Sequence, residues 1–270
     1  MTASHPAEVA AQYATEQHLR TRINTHLRYT VGPDLEASFD GLLALTGRET
    51  VLDVGTGPGE FPGRLRAQGH QGRLVGVDLS AGMVEQASAH QPGVEFVQAS
   101  ADALPFADAT FDVVTARHML YHVPDVSAAL KEFRRVLKPG GQFLCVTNAS
   151  TYMAELWAVV AEAALLEPSS EAVWATRVGY ATAFSELNGE ALVQAAFGNV
   201  SVSFLQSALV FPDSQPVLTY LESLPAWHHL SAPQQERARA AVGQVLEPLL
   251  QVGGWQVSKT LVFLAAKNNF

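Results

Sequence analysis

Short apolar runs alternate with longer amphipathic stretches through the first half of the chain. The apolar runs, bounded by glycine or polar residues, predict buried strands, and the stretches with apolar residues at helical spacing predict helices. The predicted strands cover 51–55, 73–78, 94–98, 111–116 and 142–147, and the helices between them cover 59–68, 80–90 and 125–137. Strands that alternate with helices indicate an α/β protein with a doubly wound, mostly parallel, Rossmann-like sheet.

Helical patterns dominate the rest of the chain. Helices are predicted over 5–30, 34–45, 151–166, 171–184, 189–197 and 212–251, and strands over 200–211 and 255–266. We therefore expect one compact domain made of several parts. These are an N-terminal helical lid (1–45), a ligand-binding core (46–150), a helical insertion (151–188), the remainder of the core sheet (189–211 and 254–270) and a helical cap insertion (212–253).

Three glycines follow the first strand of the core at alternate positions, as Gly55, Gly57 and Gly59. Glycine is required where the backbone adopts positive φ or approaches a ligand closely. Asp78 follows the next apolar run, and a carboxylate at the end of this second strand can bind both hydroxyls of a ribose. The unit therefore predicts a site for an adenosine-containing ligand, although glycines that serve only to turn the chain are an alternative.

Acidic residues around this loop narrow the choice of ligand. A dinucleotide loop has the spacing G-x-G-x-x-G, but Glu60 occupies the position of the third glycine, where an acid would repel a diphosphate. Asp53 precedes the loop and suits a ligand with a positive amino group. S-adenosylmethionine, which has an ammonium, a sulfonium and no phosphate, fits these acids better than a nicotinamide dinucleotide does.

Composition limits the partners that we expect. The chain has 270 residues, of which 48% are hydrophobic, and a formal net charge of -9 with a pI near 5.4. This acidity argues against a general nucleic-acid surface, and the single Cys145 argues against disulfides or a thiolate zinc site. The longest apolar helical segment, 156–166, is too short to span a membrane, and residues 1–12 do not look like a signal peptide, so a cytoplasmic location is expected.

Four sequence motifs resemble class I S-adenosylmethionine-dependent methyltransferases, specifically the type 11 group. In chain order they are VLDVGTGPG (51–59), GVDLSAGM (76–83), ADALPFADATFDVV (101–114) and FRRVLKPGG (133–141). The resemblance covers about residues 45–150 and implies a seven-stranded sheet with an antiparallel last strand. It also implies S-adenosyl-L-methionine as the cofactor, S-adenosyl-L-homocysteine as the product, and no metal.

Carried over by position, the resemblance implies a set of cofactor-binding residues. Asp78 would bind the ribose hydroxyls, Leu79 would flank the adenine, Asp102 would accept from the adenine amino group, and the amide of Ala103 would donate to a ring nitrogen. The full set is Asp53, Gly55, Thr56, Gly57, Asp78, Leu79, Met83, Ala101, Asp102, Ala103 and Arg117.

A second group of residues is expected on the acceptor side. His118 is the candidate general base or pocket wall, because a histidine has a suitable pKa range. His122 lies four residues later, which on a helix would place both imidazoles on one face. A metal site there is disfavoured because Met119 stands where a zincin helix has glutamate. The lid is expected to contribute Tyr13, Arg22, His26 and Tyr29.

These observations predict a methyltransferase that acts on a small-molecule acceptor, with the O, N, C or S nucleophile left open. Methyltransferases of this fold that act on amino groups of nucleic acids or on glutamine carry Asn/Asp-Pro-Pro-Tyr/Phe after the fourth strand, and those that methylate cytosine C5 carry a Pro-Cys nucleophile. This chain has neither motif, so a nucleic-acid partner is not expected. No membrane partner is expected either. A non-catalytic sensor or regulatory subunit that binds S-adenosylmethionine remains the alternative. The oligomeric state is left open.

Overall fold

The computed structural model of the chain describes residues 17–168, 183–250 and 254–269. The strands in these ranges are β1 (Thr30–Val31), β2 (Val51–Val54), β3 (Leu74–Asp78), β4 (Glu95–Gln98), β5 (Phe111–Arg117), β6 (Leu137–Asn148), β7 (Ser201–Phe211) and β8 (Trp255–Lys267). The α-helices are α1 (Gln17–Tyr29), α2 (Leu35–Leu43), α3 (Glu60–Ala67), α4 (Ala81–His90), α5 (Val126–Val136), α6 (Ala154–Leu166), α7 (Gly189–Phe197), α8 (Ser214–Glu222), α9 (Pro225–His228) and α10 (Ala232–Leu246), with a 3-10 turn at Leu120–His122.

All of these strands form one sheet in the order β1-β7-β8-β6-β5-β2-β3-β4. Neighbouring strands from β6 through β4 pair in parallel, whereas β8 is antiparallel to both β6 and β7. The predicted Rossmann-like, mostly parallel sheet with an antiparallel last strand is therefore confirmed. Every residue of β2 is buried, as expected for a strand covered by helices on both faces.

The winding of the sheet reverses between β2 and β5. From β2 the chain builds outward through β3 to β4, then returns to place β5 on the other side of β2. Ligands of doubly wound sheets bind beyond the carboxyl ends of the strands at such a reversal. The fold therefore directs attention to the segments that follow β2 and β5.

The sheet has one strand more than the seven expected from the family resemblance. The helix predicted over 5–30 has residues 17–29 within the described part of the chain, and Thr30 and Val31 leave it to form β1. Thr30 aligns with Leu209 and Val31 with Ala208, so β1 extends the sheet beyond β7. β-branched side chains favour this extended backbone, and periodicity gives no warning of a strand of only two residues.

Two boundaries show how local signals act. The Asp125 carboxylate accepts a hydrogen bond from the Ala128 amide at 2.9 Å and caps α5 at its predicted start. The helix ends at Val136, as the downstream proline and glycines suggest. Residues 138–141, predicted to be only a stop signal, are instead part of β6, because Leu137 already pairs with Phe111 of β5.

Helices cover the sheet in two layers and form a third cluster over one end. α5 and α7 pack on one face of the sheet, and α2 and α3 pack on the other. α6, α8 and α10 bury their apolar side chains together with the beginning of β8 and the end of β7. These helices follow β6 and β7, so they lie at the carboxyl edge of the sheet.

The helix predicted over 171–184 falls almost entirely outside the described residues, as does the first part of the N-terminal helical segment. Among the residues that are described, no helix is both long enough and apolar enough to cross a membrane.

Candidate functional site

The glycine loop after β2 leaves its backbone open to a ligand. Gly55, Gly57 and Gly59 have φ values of 68°, 56° and 75°, in the left-handed region that favours glycine. A Cβ added at Gly57 would have no neighbour within 4 Å, whereas one at Gly55 would lie 2.6 Å from the Cβ of Met119. Gly55 is therefore required for internal packing, and Gly57 borders open space at the carboxyl edge.

Asp78 lies beside this open backbone, at the end of β3. Its carboxylate accepts hydrogen bonds from the Gly57 amide and the Ser80 amide, both at 2.9 Å. Burial raises the pKa of the Asp78 carboxyl, and the Ser80 and Gly57 amides act in the opposite direction. The tertiary structure thus joins the two ends of the predicted adenosine site, which are 21 residues apart in sequence.

Asp53 lies below the loop, on the face of the sheet covered by α2 and α3. It is 2% exposed and accepts a hydrogen bond from the Thr115 hydroxyl at 2.7 Å. Burial raises the pKa of Asp53, and the nearby Arg117 guanidinium lowers it. Asp53 therefore gives the floor of the loop an acidic group that is held by neighbouring strands.

Arg117, predicted to bind cofactor, is held on the side facing α2. Its guanidinium pairs with Glu36 and lies 5.0 Å from the Phe39 ring centre and 4.9 Å from that of Phe61. The Arg117 Nε atom has no hydrogen-bond partner among the described residues. These contacts fix the guanidinium near Asp53, and direct contact with a cofactor stays a prediction.

Of the residues predicted to bind the adenine part of the cofactor, some are exposed to solvent and others are buried. Leu79 is 37% exposed and Asp102 is exposed, with its carboxylate accepting from the Ser100 hydroxyl. The Ala103 amide, expected to donate to the adenine ring, donates instead to the Ser100 carbonyl at 3.2 Å and closes a turn. Two further members of the set, Met83 and Ala101, are buried in the apolar core.

His118 and His122 do not share a helical face, contrary to the spacing argument. His118 follows β5 with a φ of 52° and donates its backbone amide to the Val146 carbonyl, whereas His122 ends a 3-10 turn. Burial lowers the pKa of His118 to about 3, with added repulsion from Arg117 and Lys259. Burial lowers that of His122 to about 4, with repulsion from Arg22. Both imidazoles are neutral at neutral pH and are weak bases.

The N-terminal helix α1 packs against helices and a loop at the carboxyl edge, and its role as a lid stays a prediction. Arg22 donates to the Ser223 carbonyl at 2.5 Å, next to the end of α8. The His26 ring nitrogen Nε2 lies 3.2 Å from the Tyr152 hydroxyl, and the Tyr29 ring lies 5.5 Å from that of Phe211. The three side chains contact the inserted helices and the end of β7. Tyr13 lies outside the described residues.

Tyrosines and a lysine that sequence reasoning missed complete this region. Tyr152, Tyr220 and His26 form a group that we call the Tyr152 cluster, with His26 5.7 Å from the Tyr220 ring centre. Burial raises the pKa of Tyr152 well above its ordinary value, and burial lowers that of His26 to about 3. Lys259 of β8 lies close enough for its charge to contribute to the lowering at His26.

A sequence signal for Lys259 did exist. In β8 the buried positions alternate as Trp255, Val257, Lys259 and Leu261, and a lysine in the apolar phase of a strand is unusual. Across the described ranges, no group of three His, Cys, Asp or Glu side chains converges as a metal site would require.

Comparison with known proteins agrees with the loop geometry. A family model described as a methyltransferase domain matches residues 52–145, from β2 into β6. The chain carries a class I S-adenosylmethionine-dependent methyltransferase domain. The matched part contains the glycine loop, Asp78, Asp102 and His118, while α1, the Tyr152 cluster and Lys259 lie outside it.

Curated relatives of the methyltransferase domain differ in their named substrates. Demethylmenaquinone methyltransferase of Lactococcus lactis is 41% identical over 106 residues, which make up 37% of this chain and 42% of that protein. Malonyl-[acyl-carrier protein] O-methyltransferase of Erwinia pyrifoliae is 32% identical over 180 residues, or 66% of this chain and 62% of that protein. The chain spans less than half the length of the curated relatives that it matches first.

A solved structure extends the likeness to the fold of most of the chain. The YcgJ protein of Bacillus subtilis superimposes with a TM-score of 0.57 at 18% identity, covering 87% of this chain and 98% of that one. At this identity the likeness concerns the fold only.

Proposed function

We propose that the protein transfers a methyl group from S-adenosylmethionine to a small-molecule acceptor. The observation that carries the proposal is the open backbone of Gly57 held against the Asp78 carboxylate at 2.9 Å. Glycine without a side-chain neighbour allows close approach of a ligand, and a carboxylate at the end of the second parallel strand suits a ribose diol.

The residues present fit S-adenosylmethionine, a cofactor that contains no phosphate. Asp78 and Leu79 would hold the ribose and flank the adenine, Asp102 would accept from the adenine amino group, and Asp53 would provide negative potential below the amino group. Glu60 begins α3, where a diphosphate would otherwise benefit from the helix N-terminus, and its carboxylate disfavours a dinucleotide. When bound, S-adenosylmethionine supplies an electrophilic methyl group.

The protein's own contribution would be positioning and exclusion of water. The proposed arrangement assigns cofactor binding to residues 46–150 and the covering surface to residues 1–45, 151–188 and 212–253. The contact of Arg22 on α1 with Ser223, which follows α8, supports a cover in which these two elements take part. Holding two reactants in line accounts for much of the rate enhancement of a displacement reaction.

We do not assign to this chain the methyl acceptors for which its relatives are named. A demethylmenaquinone methyltransferase and a ubiquinone/menaquinone biosynthesis C-methyltransferase match over 106 and 104 residues, and the longer match, over 180 residues, is named for an acyl carrier protein. These names differ although the cofactor half is shared, so the acceptor would be selected by the helices and strands outside it.

Titration calorimetry with S-adenosylhomocysteine, S-adenosylmethionine and NAD tests the proposal. We expect the first two to bind and NAD not to bind, since Glu60 repels a diphosphate. Tighter binding of NAD would overturn the cofactor assignment. A screen of a metabolite pool with methyl-labelled cofactor then separates an enzyme from a sensor, because only an enzyme transfers label.

A further inference from the structure

Lys259 lies at the carboxyl edge of the sheet. β8 runs antiparallel beside β6, and Leu261 aligns with Asn148, the last residue of β6. Lys259 therefore lies two residues beyond the carboxyl end of β6, on the edge that carries the glycine loop. The Met153 and Ala149 amides donate to the carbonyls of Ser258 and Thr260, so the loop after β6 follows β8 on both sides of the lysine.

The ammonium group of Lys259 is buried without a countercharge in direct contact. The residue is 7% exposed, and its Nζ donates to the Thr30 hydroxyl at 3.2 Å. No carboxylate within the described residues forms an ion pair with it. Burial lowers the pKa of Lys259, and the charge of Asp34 acts through space in the opposite direction. Burying a charge that has no ionic partner is costly, so this position calls for an explanation.

Among the groups near the lysine, His26, His118 and Thr30 are uncharged, Asp34 is negative and Arg22 is positive. The charge of Lys259 contributes, after burial, to the lowered pKa of His26 on α1 and of His118 after β5. His26 is bonded through Nε2 to Tyr152, and its Nδ1 is buried without a hydrogen-bond partner among the described residues. Arg22 adds a second positive charge that acts on His26 and His122. The region thus has positive potential and unused hydrogen-bonding capacity.

We propose that Lys259 is an anion-binding group for the methyl acceptor, which would carry a phenolate, enolate or carboxylate oxygen. This inference rests on the proposed methyltransferase function and adds a substrate class to it. The acceptor oxygen would pair with Nζ, and the Nδ1 atom of His26 lies in the same region to complete its hydrogen bonding.

Such an acceptor would arrive already deprotonated, its proton having gone to solvent. This agrees with a site whose histidines are weak bases, since no proton has to be removed when the methyl group is transferred. An anionic oxygen beside Lys259 would also stabilise the ammonium form, because opposite charges favour the ionised state of both groups.

The test uses 4-nitrophenol, whose ionised form absorbs visible light, with the full-length protein saturated with S-adenosylhomocysteine. We expect the apparent pKa of the bound phenol to fall by about one unit in the wild type. Lys259→Met, which retains the length of the side chain but not its charge, should abolish the shift and weaken binding of the phenolate about tenfold. Lys267→Met, at an exposed position on the same strand, should retain both.

Affinity for S-adenosylhomocysteine and thermal unfolding are measured on each variant. A folded Lys259→Met protein with unchanged affinity for S-adenosylhomocysteine and no phenol shift supports the proposal. Loss of affinity for S-adenosylhomocysteine instead would assign the lysine to the cofactor and overturn it, as would an unchanged phenol shift or a wild type that does not bind the phenol.

A comparison on the wild type alone keeps the proposal testable if Lys259→Met does not fold. 4-Nitrobenzoate should then bind at least about tenfold more tightly than the neutral 4-nitrobenzamide, and equal affinities would contradict an anion site. A protein that does not bind S-adenosylhomocysteine would contradict the proposed methyltransferase function. The anion site is tested independently of that result, because 4-nitrobenzoate and 4-nitrobenzamide can be compared in the absence of S-adenosylhomocysteine.

Discussion

A hydrogen bond between Gly57 and Asp78 connects the glycine loop to the end of β3. The Gly57 amide donates to Asp78 at the end of β3, and the glycine has a positive φ of 56°. Asp78 also accepts from Ser80, at the start of α4. One carboxylate therefore organises the loop and the helix that border the adenosine site.

Replacing Asp78 by asparagine should weaken S-adenosylhomocysteine binding by about 1.5–3 kcal/mol, the range for hydrogen bonds to a charged group. The amide retains one acceptor oxygen, so it cannot serve both backbone donors and a ribose. Calorimetry measures the loss, and Glu85→Gln, at an exposed position on α4, is the control. Equal affinities of Asp78→Asn and the control would remove Asp78 from the site.

Replacing Gly57 by valine should lower cofactor affinity more than replacing Asp78 does, because a branched side chain would fill the space that the ligand approaches. The matched control is Gly140→Val, since Gly140 also has a positive φ, at 79°, and no neighbour within 4 Å of an added Cβ. Both variants carry the left-handed strain of about 1–2 kcal/mol. If both bind S-adenosylhomocysteine like the wild type, the loop assignment is wrong.

We expect α1 to change its dynamics when a ligand binds. It contacts the rest of the protein through Arg22, His26 and Tyr29, which reach α8, the loop after β6 and β7. Its opposite face carries exposed residues such as Leu27 and Arg28. A helix at the surface that joins the rest of the protein through one face can open locally at a free-energy cost below that of global unfolding.

Arg22→Met should speed hydrogen exchange of the α1 amides roughly tenfold without ligand, because it removes a charge-assisted hydrogen bond to Ser223. S-adenosylhomocysteine should slow the exchange in the wild type if α1 closes over the cofactor. Arg28→Met, on the exposed face, serves as the control. Exchange that does not respond to ligand would reduce α1 to a packing element.

Three neutral histidines at the carboxyl edge link the site to the stability of the whole molecule. Burial lowers the pKa of His26 and His118 to about 3 and that of His122 to about 4. Their lowered pKa values mean that the unfolded chain binds protons more readily than the folded one. Their stabilising effect is therefore fully present above the unfolded pKa near 6.5 and is lost as the pH falls toward the folded values.

Between about pH 7.5 and pH 5.5, each of these histidines should reduce the free energy of unfolding by about 1 kcal/mol. Urea unfolding at the two pH values measures the total. His26→Gln should remove about 1 kcal/mol of the loss, whereas His90→Gln, at an exposed position of α4, should not change it. A pH dependence that is identical in His26→Gln and the wild type would show that this imidazole can be protonated in the folded state.

The sequence by itself predicted the strands of the core sheet and the glycine loop at its carboxyl edge. Glycines at alternate positions, apolar runs and the Ser80 and Asp125 caps are local signals, because positive φ, strand burial and helix capping depend on a few adjacent residues. The alternation of strands and helices from β2 to β6 and the positions of Gly57 and Asp78 followed from such signals. The antiparallel β8 was implied by the family resemblance, and the strand order and the Gly57–Asp78 contact came from the tertiary structure.

Only the tertiary structure decided the surface where an acceptor would bind. His26 meets Tyr152 from 126 residues away, and Lys259 reaches Thr30 across 229 residues. The bend at His118 and the two-residue strand β1 likewise depend on neighbours that are distant in sequence. Periodicity identifies which face of an element is buried, but contacts between insertions depend on how whole elements pack, and no local pattern encodes that.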